Sequence, residues 1–178
     1  ALGEEFHTDA VDDLKNGFEI SCISLATVAR HAQASMPDGG AIVTLTFESR
    51  VAFPCYNWMG VNKAALEATV RGLARRHGKD LIRVNAVSAG PLGTRAAKSI
   101  PGFNDLGTIW ADGSPLPWDT DADKWEVANT VAFLIGNLSK KISGQTIYVD
   151  GGISACGGDM RSYEVAATAE SGDPESAE

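Results

Sequence analysis

Three short runs of β-branched and apolar residues punctuate the chain: residues 41–47 (Ala-Ile-Val-Thr-Leu-Thr-Phe), 82–87 (Ile-Arg-Val-Asn-Ala-Val) and 145–149 (Gln-Thr-Ile-Tyr-Val). Turn or polar residues bound each one, which predicts strands. Between them, apolar positions recur at helical spacing. Residues 9–35 form one such stretch, stopped by Pro37-Asp38-Gly39-Gly40. A second begins after Pro54 and runs to about His77, ending at Gly78, and a third covers roughly residues 124–138. Residues 89–123 carry Gly, Pro and Trp with little periodicity. Loops of that length are uncommon unless functional, so this one is expected to be a substrate lid.

Strands alternating with helices of this size imply βαβ units and a parallel sheet. The expected fold is α/β, a Rossmann-type three-layer parallel sheet. Three strands are few for so many helices, since a doubly wound nucleotide-binding domain uses about six. No Gly-x-Gly-x-x-Gly turn follows a strand, and the glycine pairs at 39–40, 151–152 and 157–158 lie elsewhere. The pyrophosphate-binding turn and its ribose-reading acid are therefore expected outside this sequence. The chain opens on Ala1, which fits a fragment or a processed start. It is read as the C-terminal half of such a fold over residues 1–156, followed by an acidic disordered tail over 157–178.

Charge and composition narrow the function. Of the net charge of −8, the tail holds −5, which leaves −3 for the rest. That argues against nucleic acid, which demands a basic face. No apolar run approaches the roughly 18 residues of a membrane span, and no secretory signal is visible at the start. Cys22, Cys55 and Cys156 are odd in number and far apart, and His7, His31 and His77 form no ligand spacing with them. Buried thiols in a reducing, cytoplasmic setting are expected, without a metal site.

The candidate chemistry lies in residues 47–63, where Tyr56 and Lys63 stand seven apart near a helix start. Seven residues return to nearly the same helical face about 10 Å along the axis. Side chains lean toward the helix N-terminus, so a long lysine reaches part of the way to the tyrosine. A ribose fits between them, and the ammonium would favour a tyrosinate-like hydrogen-bond network. Taken alone, the spacing fits a half-buried tyrosine and a solvated lysine better.

The surrounding residues resemble the enoyl-acyl-carrier-protein reductases, a divergent branch of the short-chain dehydrogenase/reductase superfamily. Their signature is Tyr-x6-Lys, where most short-chain reductases carry Tyr-x3-Lys; the fourth residue after Tyr56 is Gly60. The run Pro54-Cys-Tyr-Asn-Trp-Met59 and the Lys63-Ala-Ala-Leu-Glu67 that follows are similar to the family's active-tyrosine segment. So are residues 83–94, Ser114-Pro-Leu-Pro-Trp118 and Ile147-Tyr-Val-Asp-Gly-Gly152, so the likeness covers about residues 8–155. Gly93 departs from the family, which usually has a basic residue there.

The resemblance implies reduction of the C=C bond of a trans-2-enoyl thioester with NADH, in fatty-acid synthesis. Tyr56 would stabilise the enolate and Lys63 would hold the cofactor, with Phe47 beside the reacting double bond. Gly90, Pro91, Leu92 and Thr94 would follow the strand under the nicotinamide, Leu92 meeting the carboxamide and Thr94 the pyrophosphate. Phe53, Met59 and Trp118 would help line an acyl tunnel, although ordinary core is the equal alternative. Arg95 and Lys98 lie beside the lid, where they read as a solvated face, with contact to an acidic carrier protein as the alternative. The implied partners are an acyl-carrier protein or CoA thioester and further copies of the chain, tetrameric in the family, packed through residues 9–35 and 55–77. Two other readings stay open: an inactive remnant serving as an interaction module, and a carbonyl-reducing enzyme, which Gly60 disfavours.

Overall fold

The computed structural model describes residues 6–53 and 55–156. The tail expected over 157–178, and Pro54, lie outside the described residues. The first helical stretch is α1 (Val11–Phe18), a π-helical turn (Glu19–Ile23) and α2 (Ser24–Gln33), running on without a break in coil. Asp12 and Asp13 in the first turn complement the helix dipole. Cys22, Leu25 and Ala29 bury one face, and Cys22 Sγ meets Thr69 Oγ1 at 3.4 Å. The expected single helix is therefore interrupted by the wider turn, which no local residue signals.

The predicted breaker works through Gly39, whose φ is +90°. A Cβ there would meet the Leu81 carbonyl oxygen at 2.7 Å, so only glycine passes. Strand β1 (Gly40–Thr46), helix α3 (Asn57–His77), strand β2 (Ile82–Ala89) and strand β3 (Thr146–Val149) follow. The sheet order is β1-β2-β3 and both pairings are parallel, with Gly40 opposite Ile82 and Ala86 opposite Thr146. This is the expected Rossmann-type sheet with helices on both faces.

The two-residue strand period sorts side chains between those faces. Ile42, Ile82, Val84 and Ala86 pack with Leu25, Ala29, Leu66 and Val70 of α2 and α3. Phe47, Val87 and Ala89 pack on the other face with Val127 and Leu134 of α5 (Lys124–Ile135). Central strand β2 is buried along both faces except at Arg83, which is why its sequence is nearly continuous in apolar and small residues. Arg83 instead reaches the C-terminal end of α5. Its Nη1 donates to Leu134 O at 2.6 Å and Ser139 Oγ at 2.9 Å, and Nη2 donates to Gly136 O at 3.1 Å. Those carbonyls would otherwise lack a helical partner.

The 89–123 segment is not a structureless lid. It contains α4 (Phe103–Gly113), with Phe103, Leu106 and Trp110 buried at helical spacing. Gly107 and Gly113, and prolines at 101, 115 and 117, conceal that stripe. Trp110 is fully buried and donates from Nε1 to Asp150 O at 3.1 Å, tying α4 to the end of β3. Burying a side chain of this size contributes about 3 kcal/mol or more.

Candidate active site

The C-terminal ends of β1 and β2 open into a cavity of about 230 Å³, the place where open parallel sheets bind ligands. Phe47, Tyr56 and Lys63 line one side, and Gly90, Pro91, Leu92 and Thr94 the other. Seven residues singled out in the sequence thus meet at one cleft. Phe53, Met59 and Trp118 are not among its walls. Phe53 is a second layer, 5.6 Å from the Phe47 ring and 4.6 Å from the Trp110 ring. Met59 is half-buried in the first turn of α3, its amide closing that turn on Tyr56 O at 2.9 Å. Trp118 is buried beneath the β2 end and donates from Nε1 to Pro91 O at 3.0 Å.

Tyr56 sits at the N-cap of α3 between two residues of positive φ, Cys55 at 64° and Asn57 at 31°. Non-glycine residues avoid that region, and such strain concentrates at functional sites. The Tyr56 ring lies 4.2 Å from Phe47, centroid to centroid. Burial pushes its phenol well above the ordinary value of 10.0. Near neutrality Tyr56 is therefore a protonated donor. Lys63 Nζ donates to Leu45 O at 3.0 Å, at the end of β1. Burial pulls the ammonium down, and the charge of Glu67 opposes that. Burial raises the phenol, and Lys63 is held on the Leu45 carbonyl.

Across the cleft, Gly90 N donates to Val149 O at 2.9 Å, which fastens the β2 end to β3. Gly90 is a packing requirement, because a Cβ there would meet Trp118 at 2.6 Å and Trp110 Nε1 at 2.9 Å. The next residues bend away from the sheet. Gly93 N donates to Thr120 O at 2.8 Å, and Thr94 Oγ1 accepts from Ala97 N at 3.1 Å. Lys98 pairs with Asp121 at 3.3 Å, while Arg95 is exposed. The sequence reading missed other walls, among them Cys55, Phe103 and Leu106. The Phe103–Leu106 spacing carried a helical signal; the part played by the Leu45 carbonyl carried none.

A buried charged group stands behind this cleft. Glu48, 3% exposed, accepts from the Arg50 backbone at 2.8 Å and pairs with its guanidinium at 2.6 Å. The Arg50 guanidinium lies 4.4 Å from the centre of the Tyr148 ring. Burial pushes Glu48 up, but the hydrogen bonds and charge of Arg50 together outweigh it and hold the carboxyl below its ordinary range.

A parallel sheet layered between helices, with a ligand cleft at its C-terminal edge, defines part of a Rossmann-type dinucleotide-binding fold. The chain belongs to the family described as Enoyl-(Acyl carrier protein) reductase, whose model matches residues 2–154. An enoyl-[acyl-carrier-protein] reductase [NADH] of Rickettsia felis is 42% identical over 149 residues, covering 83% of this chain and 56% of that protein. The corresponding [NADPH] enzyme of Staphylococcus aureus is 44% identical over 138 residues, covering 77% of this chain and 53% of its own length. Among solved structures, the Bacillus cereus enoyl-acyl carrier protein reductase with NADP+ and indole naphthyridinone superposes with a TM-score of 0.80 at 40% identity, over 88% of this chain and 60% of that one. The chain thus spans little more than half the length of the curated relatives it matches. Among the described residues, no helix is long and apolar enough to cross a membrane, and no acid, histidine and cysteine cluster is suited to a metal ion.

Proposed function

We propose that this chain supplies the catalytic half of an enoyl-thioester reductase of fatty-acid synthesis. The observation that carries the reading is the joint exposure of Tyr56, Lys63 and the Gly90–Thr94 turn in one cleft beside Phe47. The group the family implies is a nicotinamide dinucleotide, and this cleft fits its nicotinamide–ribose end. It offers a long ammonium for ribose hydroxyls, a phenol beside it, and a small-residue turn at a parallel-sheet edge. A bound reduced nicotinamide supplies the hydride.

The chain's own residues do the rest. Tyr56 donates its phenolic hydrogen to the thioester oxygen, where negative charge gathers as the β-carbon is reduced. Its elevated pKa keeps that hydrogen in place. Lys63 exchanges the Leu45 carbonyl for ribose hydroxyls and orients the cofactor. Phe47 and the surrounding apolar walls exclude water and accept the enoyl chain, with Phe53, Met59 and Trp118 supporting them from behind. Leu92 and Thr94 border the carboxamide and phosphate ends of the cofactor.

NADH is the proposed donor, although an NADPH enzyme stands among the relatives. The phosphate-binding turn would come from sequence outside residues 1–178. The substrate would arrive on an acyl-carrier protein or CoA, in a reducing cytoplasm that matches the free thiols of Cys22, Cys55 and Cys156. Self-association into a tetramer would cover exposed Val11, Ile20 and Val28 on the first helices and Val61 on α3.

The test is loss of nicotinamide absorbance with a trans-2-enoyl thioester, for this chain alone and with a relative's N-terminal half added. Turnover in the complemented sample, reduced at least about 100-fold by Tyr56→Phe, is expected. No turnover with both halves folded and associated would overturn the reading in favour of an inactive interaction module.

A further inference from the structure

Lys63 is more than half withdrawn from solvent, and a buried ammonium tends to lose its proton. Burial does pull Lys63 down, and one acid, Glu67, counters it. Glu67 follows Lys63 by four residues on α3, within one helical turn. Its side chain leans back toward the helix start, as helical side chains do. Only 8% of Glu67 is exposed, and its Oε1 accepts from Thr46 Oγ1 of β1 at 3.0 Å. Thr46 is itself buried, and its neighbour Leu45 provides the carbonyl that Lys63 holds. The acid and the cation are therefore anchored to adjacent residues of one strand end.

Other charged groups near this pair are accounted for. Glu48 is engaged by Arg50. Arg50 and Tyr148 also feel the Glu67 charge, from the loop after β1 and from β3 respectively. Tyr56 lines the same cleft as Lys63, and only burial moves its phenol.

Building on the functional reading above, we propose that Glu67 is a positioning residue that keeps Lys63 charged and aimed at the cofactor ribose. Glu67 touches neither cofactor nor substrate; it acts through Lys63. Thr46 fixes the carboxylate at the strand end next to the carbonyl that Lys63 holds.

The test is competitive acetylation of Lys63 in the full 178-residue chain, read by mass spectrometry across a pH series. Glu67→Gln keeps the Thr46 bond and removes the charge. It should lower the midpoint of Lys63 labelling by about one pH unit, making Lys63 several-fold more reactive below its midpoint. Glu67→Asp keeps the charge and should restore at least half of that change. If Glu67→Gln does not fold, Glu67→Met, an apolar residue of similar volume, carries the same expectation. A Lys63 midpoint unchanged in the folded neutral variant overturns the proposal.

A second arm measures NADH affinity against pH, with the N-terminal half supplied. Glu67→Gln should bring the high-pH loss of binding down by the same interval, and an unmoved profile counts against the proposal. Failure of the unsubstituted protein to bind NADH would instead remove the functional reading and with it the role toward ribose, whatever the labelling shows.

Discussion

Gly90→Ala places a methyl group where the structure has no room. The new carbon would lie 2.6 Å from Cε2 and Cζ2 of Trp118 and 2.9 Å from Nε1 of Trp110. Neither ring swings aside freely. Trp118 is held by its bond to Pro91 O at 3.0 Å and Trp110 by its bond to Asp150 O at 3.1 Å. Overpacking a close-packed site costs about 1–3 kcal/mol, and surrendering one buried indole hydrogen bond adds roughly 1. A loss near 3 kcal/mol is expected, which for a chain of this size lowers Tm by roughly 6–12 °C. Urea unfolding followed by tryptophan fluorescence measures it, since both rings at the clash report directly. The cause is isolated by a second substitution, Trp118→Phe, which trims the clashing ring. The double variant should fall short of the summed losses by at least about 1 kcal/mol. A Gly90→Ala loss under about 0.5 kcal/mol, or strict additivity with Trp118→Phe, would refute the packing argument.

Further outcomes follow from the charged groups. Arg83→Met removes the guanidinium donors to Leu134 O and Gly136 O, of which the Ser139 hydroxyl can serve only one at a time, and should cost about 1–3 kcal/mol in urea unfolding. Arg83→Lys should recover only part, because one ammonium lacks the planar fork. The Glu48 carboxyl, held below its ordinary 4.5, lends stability that is complete above that pH and is lost as pH falls through its folded value. Urea midpoints taken down an acid series should show that slope, and Arg50→Met should flatten it while lowering the neutral midpoint. An acid limb identical in both proteins would remove Arg50 as its source.

Much of this architecture is written in short-range patterns. The strands at Gly40–Thr46 and Ile82–Ala89 follow from β-branched runs, and α3 stops at the glycine expected to end it. Tyr56 and Lys63 are far in sequence from the Gly90–Thr94 turn, and resemblance to a family linked them before their placement in one cleft was visible. Helix α4 was concealed because Gly107 and the flanking prolines dilute a stripe of only three buried residues. The π-helical turn, which buries Cys22 against Thr69, carries no residue signal of its own. The burial that raises the phenol was out of reach for a related reason. Spacing shows that a cation is near, whereas desolvation depends on Phe47 and the cleft walls. Glu67 entered only as the end of a family-like run, without a role, because a glutamate on a helix is ordinarily a surface residue.

The three strands lie side by side in the order in which they occur along the chain. Within this stretch of chain, β1 and α3 are made before β2, which then finds its neighbour already present. When β3 emerges, the β2 edge it needs is waiting. The first crossover, Gly40 to Ala89 with α3 across it, is thus the piece most suited to early, vectorial folding. Protease pulses on stalled nascent chains would find protection there before residues 103–149 have been made.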